Sequence, residues 1–157
     1  MKIDWKKLLI CLAIPLAVGG LAGLLTRSSM ATYASFEKPP LSPPGWLFPI
    51  VWTILYLLMG WASYLILQST AKNTQKKEAL TLYGIQLALN FLWPVVFFRA
   101  EKILGAFLVL IALWAAVYLT IRTFGKVKES AGDFMLPYLL WISFAGYLNL
   151  GIYLLNG

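Results

Sequence analysis

The side chains with the chemistry to do something in this chain are mostly aromatic. Seven Trp, eight Tyr and nine Phe stand among 157 residues, with no histidine and a single cysteine, Cys11. Without histidine, the commonest metal ligand and the commonest general base are missing. Cys11 sits in an apolar run, which leaves no internal disulfide and no cysteine-based zinc site. No metal site and no resident cofactor is therefore expected. What remains is the chemistry of flat rings: stacking, hydrogen bonding through phenol and indole, and exchange of single electrons.

Spacing gathers these rings into faces. Gln86, Asn90, Trp93 and Phe97 recur at steps of four, three and four, so a helix puts them on one side. Tyr138, Trp141, Ala145 and Asn149 step by three, four and four, again one side. Trp52 and Tyr56 are one turn apart. Each face mixes rings with an amide or a phenol. Amides are costly against lipid, so the faces are expected to turn inward. Three such faces make an apolar box with a few hydrogen-bonding points, the usual chemistry of a small-molecule pocket. Ordinary packing between helices explains any single Trp equally well. An interfacial belt explains Trp5, Trp46 and Tyr153, but fits Trp93 and Trp141 less well. Trp114 and Tyr118 are also one turn apart, with little polar company. The segment from Leu113 to Arg122 matches a loose sterol-contact pattern that is common by chance.

The elements that carry these faces follow from composition. Apolar residues make up 61% of the chain and charged residues 12%, and the mean hydropathy is +0.77. A soluble domain carries about 25% charged residues, and one of this size cannot hide so much apolar surface. Soluble enzymes, disordered chains and secreted disulfide scaffolds are excluded. Five uncharged stretches, 8–26, 46–68, 79–98, 103–121 and 134–155, are each long enough to cross a bilayer as a helix. Bare strands would leave backbone groups unpaired in lipid, and the runs do not alternate as barrel strands do. The expected fold is an all-α membrane protein: one domain over 1–157, a bundle of five transmembrane helices. The first stretch, behind Lys2, Lys6 and Lys7, also has the form of a signal peptide; its length favours a retained helix.

The gaps hold the charge. Lys2, Lys6, Lys7, Lys72, Lys76, Lys77, Arg122, Lys126 and Lys128 fall on one side, and Arg27, Lys38, Arg99 and Lys102 on the other. This asymmetry predicts a cytoplasmic N-terminus and basic residues that meet lipid headgroups rather than nucleic acid. The 27–45 gap contains Pro39, Pro40, Pro43 and Pro44, which predicts a stiffened, non-helical loop, either a lid or a connector. Gly19–Gly23 and Gly84–Ala88 are small-residue pairs that permit close helix approach, within one subunit or in a homodimer. No Asp, Glu, Lys, Arg or His lies in any of the five stretches. That argues against proton-coupled transport, metal-assisted hydrolysis and acid–base catalysis at membrane depth.

The run Pro43-Pro44-Gly45-Trp46-Leu47-Phe48-Pro49-Ile50-Val51-Trp52-Thr53-Ile54-Leu55-Tyr56 resembles the signature of the TspO/MBR family, the tryptophan-rich sensory proteins. Its mitochondrial members are the translocator proteins, or peripheral benzodiazepine receptors. The likeness continues in Asn90-Phe91-Leu92-Trp93-Pro94-Val95-Val96-Phe97-Phe98, in Pro137-Tyr138-Leu139-Leu140-Trp141 with Ala145 and Asn149, and in Tyr33 ahead of Glu37-Lys38-Pro39. The resemblance implies five helices, often dimeric, with a pocket capped by the first loop. It implies ligand-binding roles for Tyr33, Pro43, Trp52, Tyr56, Asn90, Trp93, Trp141 and Ala145; spacing alone adds Phe97 and Tyr138. The implied ligands are protoporphyrin IX and other flat apolar molecules, and the implied context is tetrapyrrole and stress regulation. Two alternatives stand beside binding. One is light- and oxygen-dependent porphyrin degradation with Trp52 and Trp141 as catalytic residues; the other is facilitated passage of porphyrin or lipid. Expected partners are such a small molecule, the bilayer and a second copy of the chain, with no nucleic acid. Lys38 or Arg27 is placed to meet a ligand's carboxylates. Cys11 or a Tyr is a conceivable iron ligand. Tyr153 is followed by Leu154-Leu155-Asn156-Gly157 with no basic residue, so the mitochondrial sterol motif is incomplete and a bacterial-type member is implied.

Overall fold

Uninterrupted apolar sequence with few helix breakers becomes helix, because in lipid only intrasegment hydrogen bonds satisfy the backbone. The structure of the protein, a computed structural model, describes residues 2–156 apart from the side chains of Ser28, Met30 and Thr32. Its helices are α1 (Trp5–Thr26), α2 (Met30–Ser35), α3 (Leu47–Gln68), α4 (Asn73–Pro94), α5 (Ile103–Val127), α6 (Glu129–Asp133) and α7 (Leu136–Asn156). Among the described residues five segments are long and apolar enough to cross a membrane: Trp5–Thr26, Leu47–Gln68, Asn73–Arg99, Ile103–Val127 and Glu129–Asn156. The fold is all-α, and the protein is a multi-pass integral membrane protein.

The helices pack in a ring. α1 lies on α3 and α4, α4 on α5, and α5 on α7, while α6 wedges one end against α3 and α5. α3 and α7 meet chiefly through aromatic side chains: Trp141 stands edge-on to Trp52 at 6.4 Å and to Phe48 at 6.0 Å. Glycine makes the α1–α3 contact possible. A Cβ on Gly60 would stand 2.7 Å from the Cys11 carbonyl oxygen, and one on Gly19 would collide with the Tyr56 ring. Close approach here is intramolecular. Gly23 and Gly84 have open space where a Cβ would project. The start of α1 is anchored as well: Asp4 caps it through Lys7 N–H, and its own N–H donates to the Tyr64 hydroxyl at 2.7 Å.

Pro94 supplies no N–H, and the α4 pattern gives way there to a wider π-helical turn over Val95–Arg99, closed by Ala100 N–H on Val95 O at 2.9 Å. This turn buries both Phe97 and Phe98. The loop after α1 departs from expectation. Arg27–Ser29 form a 3₁₀ turn and Met30–Ser35 a short helix, so the first half of 27–45 is helical. Its prolines begin at Pro39, and they exclude helix only from there onward.

Candidate functional site

The helix faces expected from spacing do turn inward, but their amides are spoken for. The Tyr56 hydroxyl donates to Asn90 Oδ1 at 2.7 Å. Asn90 Nδ2 donates to the Tyr138 hydroxyl at 2.8 Å, and that hydroxyl donates to Gln86 Oε1 at 2.7 Å. Gln86 Nε2 ends the chain on Met59 Sδ at 3.8 Å. A second relay runs from Trp93 Nε1 to Asn149 Oδ1 at 2.9 Å, and from Asn149 Nδ2 to Ile103 O at 2.9 Å. Gln86, Asn90 and Asn149 are fully or nearly fully buried. A buried amide left unpaired costs about 1–3 kcal/mol, so these relays tie α3, α4, α5 and α7 together. They leave few polar points for a ligand.

Beside this network lies a cavity of about 420 Å³. Phe48, Trp52 and Tyr56 of α3 form one wall, and Trp93 and Phe98 of α4 and its π-turn form another. Leu16, Gly19, Gly20, Ala22 and Gly23 of α1 close it from the opposite side. The Trp52 and Tyr56 rings stack at 5.5 Å, and Trp52 meets Tyr138 edge-on at 6.0 Å. Arg27 and Thr26 lie at one end of the lining, and Arg27 is its one cation among the described residues. Gly20, Gly23 and Thr53 are exposed on the outside of the bundle, so the cavity opens sideways between α1 and α3.

The lid is fastened to α7. Asn156 Nδ2 donates to Glu37 O at 2.8 Å, and Asn156 Oδ1 accepts from Glu37 N–H at 3.1 Å. The Tyr147 hydroxyl donates to Pro40 O at 2.7 Å. Pro39 is buried against Gly151, where a Cβ would come within 2.5 Å of its ring. Pro40 is followed by Leu41 at φ 70°, the residue order of a turn that normally takes glycine at its third position. Ser42 Oγ donates back to Pro39 O at 2.7 Å. Beneath this loop the Tyr33 hydroxyl donates to Pro43 O at 2.9 Å. Burial pushes the Tyr33 phenol up to about 12, so it stays a neutral donor through the physiological range.

The residues expected at a ligand site therefore divide into three groups. Trp52, Tyr56 and Trp93 line the cavity. Asn90, Phe97, Tyr138, Trp141 and Ala145 stand behind that lining: Asn90 and Tyr138 in the polar chain, Trp141 against Trp52, Phe97 against Trp93 at 5.3 Å, and Ala145 buried on α7. Tyr33 and Pro43 belong to the lid. Lys38 is turned away from the cavity. Its amine donates to Phe36 O at 3.0 Å and lies 4.9 Å over the Tyr33 ring. Cys11 is a free, buried thiol packed with Leu8 and Tyr64 rather than at the cavity. Spacing missed Phe48, one turn before Trp52 on the same face, and the α1 wall. Gly19 and Gly23 read only as packing residues, although small residues opposite large rings are what leave space.

Fold and cavity define a class: a multi-pass membrane helix bundle with an aromatic cavity inside it. The TspO/MBR family model matches residues 11–155. The chain is 40% identical over 151 residues to the tryptophan-rich protein TspO of Archaeoglobus fulgidus, covering 96% of this chain and 97% of that one. It is 37% identical over 150 residues to the TspO of Chlorobaculum tepidum, covering 95% of each. The human translocator protein is 37% identical over 118 residues, covering 74% of this chain and 70% of that one. This protein belongs to the TspO/MBR family.

Proposed function

We propose that this protein binds porphyrins, with metal-free protoporphyrin IX as the type ligand, in the cavity between α1, α3 and α4. The observation that carries this reading is the cavity's make-up: about 420 Å³ walled by Phe48, Trp52, Tyr56, Trp93 and Phe98, with Arg27 at one end. A flat apolar macrocycle gains stacking and apolar burial there, and its carboxylates meet the guanidinium. The polar chain through Asn90 keeps Tyr56 fixed, so Trp52 and Tyr56 present one rigid stacked surface. The Thr hydroxyls of the lining bond to their own helices, Thr53 to Pro49 O at 2.6 Å and Thr26 to Ala22 O at 2.9 Å, which leaves the interior apolar.

The test is a titration of the full chain in detergent with metal-free protoporphyrin, haem and a sterol side by side, read by tryptophan fluorescence. Saturable quenching by the metal-free porphyrin is expected, weakened in Trp52→Phe. Linear, non-saturating quenching by all three compounds overturns the reading.

One observation favours a second reading, light-driven degradation. Trp52 lines the cavity while Trp141 stands 6.4 Å behind it. An excited porphyrin that takes an electron from Trp52 leaves a hole that Trp141 can share, which slows recombination and gives oxygen time to attack the reduced ring. Bleaching of bound porphyrin under light and oxygen is then faster with protein than without, and slower again in Trp141→Phe. Equal bleaching in all samples eliminates it.

A further inference from the structure

The bundle has an aromatic feature that the cavity does not use. On α5, Trp114 and Tyr118 face the lipid, each 39% exposed, and their rings stack 3° from parallel at 5.6 Å. One turn further on, Arg122 Nη1 donates to the Tyr118 hydroxyl at 2.9 Å, and the guanidinium lies 5.8 Å from that ring's centre. Trp114 is not an interfacial anchor. It stands eight residues from Arg122, ~12 Å along the axis at about 1.5 Å per residue. Its N–H is satisfied inside the bilayer by Ser143 Oγ of α7 at 2.9 Å rather than by headgroups. The Ser143 hydroxyl in turn donates to Leu139 O at 2.9 Å. On α7, exposed Leu140 and Leu136 continue from Ser143 toward the end of the bundle where Arg122 lies.

The polar end of this strip is incomplete. Among the described residues no carboxylate pairs with Arg122, and Glu129 and Asp133, the acidic residues next along the chain, do not reach it. Four of its five N–H donors have no described partner. The Tyr118 hydroxyl accepts from Arg122 and gives its own proton to no described residue. Lys126, one turn on and exposed, adds to the positive charge. A cation and a phenol O–H thus converge at the end of a flat aromatic strip.

We propose that this strip is a binding site for an anionic phospholipid of the surrounding bilayer. The phosphate sits between Arg122 and the Tyr118 hydroxyl, and one acyl chain lies along Tyr118 and Trp114 beside Leu136 and Leu140. Charge selects this occupant. A sterol offers one neutral hydroxyl and leaves the guanidinium without a counter-charge, and a zwitterionic lipid brings its own cation to the same place.

Native mass spectrometry of the full chain, released from mixed micelles holding equal phosphatidylglycerol and phosphatidylcholine of identical chains, tests it. The expected result is preferential retention of phosphatidylglycerol, with the preference falling about fivefold in Arg122→Gln. Lys77→Gln, a basic residue at the start of α4, leaves the preference unchanged. Trp114→Leu lowers retention of both lipids while leaving the preference. Tyr118→Phe keeps the stacked ring and removes the hydroxyl, so its effect falls between wild type and Arg122→Gln. An unchanged preference in Arg122→Gln, an equal fall in Lys77→Gln, or displacement of phosphatidylglycerol by added cholesterol each overturns the proposal. Thermal melting of each variant shows that it is folded.

Discussion

Three buried phenols in the middle of the bundle are chemically identical and physically different. Tyr56 and Tyr138 are links in the chain through Asn90 and Gln86. The Tyr83 hydroxyl is buried with no hydrogen-bond partner among the described residues. Removing a hydroxyl that leaves its partner unpaired costs about 1–3 kcal/mol, whereas removing an orphan relieves a desolvation penalty. Tyr56→Phe and Tyr138→Phe are therefore expected to lower the melting temperature in detergent. Tyr83→Phe, packed on Phe124 at 5.8 Å, is expected to leave it unchanged or raise it. Asn90→Ala should cost more than either paired phenol, because it leaves the Tyr56 O–H without its acceptor, removes the bond that the Tyr138 hydroxyl accepts, and opens a cavity between them. A double-mutant cycle of Tyr56→Phe with Asn90→Ala should show coupling of roughly 0.5–3 kcal/mol. Circular-dichroism melts decide it, and a destabilising Tyr83→Phe would contradict the geometry.

At the scale of elements, the α1–α3 pair does two jobs with one residue type. Gly60 of α3 lets α1 approach closely, because any Cβ there meets backbone at 2.7 and 2.8 Å. Gly23 of α1 leaves room in the cavity, with nothing within 4 Å of where its Cβ would be. Gly60→Ala must push the helices apart and should cost about 1–3 kcal/mol of stability. Gly23→Leu should melt as wild type does but fill part of the cavity and weaken porphyrin quenching. Opposite outcomes for the two variants, stability lost without binding in one and binding lost without stability in the other, are what the packing predicts.

This contrast also marks how far the sequence could be read. The inward faces of α3, α4 and α7 were legible because an amide or phenol among apolar residues can point only one way in lipid. Between Lys7 and Thr26 helix α1 is apolar all round, so no polar residue orients it, and its wall of the cavity was invisible. Asn90 and Asn149 looked like handles for a ligand because spacing places a residue on a face but does not choose its partner. Other helices supplied those partners first. The short α2 escaped because six residues, Met30–Ser35, carry no periodicity to detect.

The whole molecule offers a ligand two ways in, and its construction favours one. The lid is held to α7 by the Asn156–Glu37 pair, by Tyr147 on Pro40 and by Pro39 seated on Gly151. The cavity mouth between α1 and α3 is edged by Gly20, Gly23, Pro49 and Thr53, with Arg27 at one end. A flat apolar molecule concentrates in the bilayer before it meets protein, so the sideways mouth is the shorter path. Equilibrium affinity does not depend on the route, but rates do. Phenylalanine in place of Thr53 narrows the mouth and is expected to slow association and dissociation of protoporphyrin by similar factors in stopped-flow quenching, with Kd little changed. Asn156→Ala unfastens the lid. If entry is sideways, it speeds proteolysis of the 36–45 loop while leaving both ligand rates as they were. Faster binding in Asn156→Ala, with Thr53→Phe kinetically silent, would instead make the lid the door.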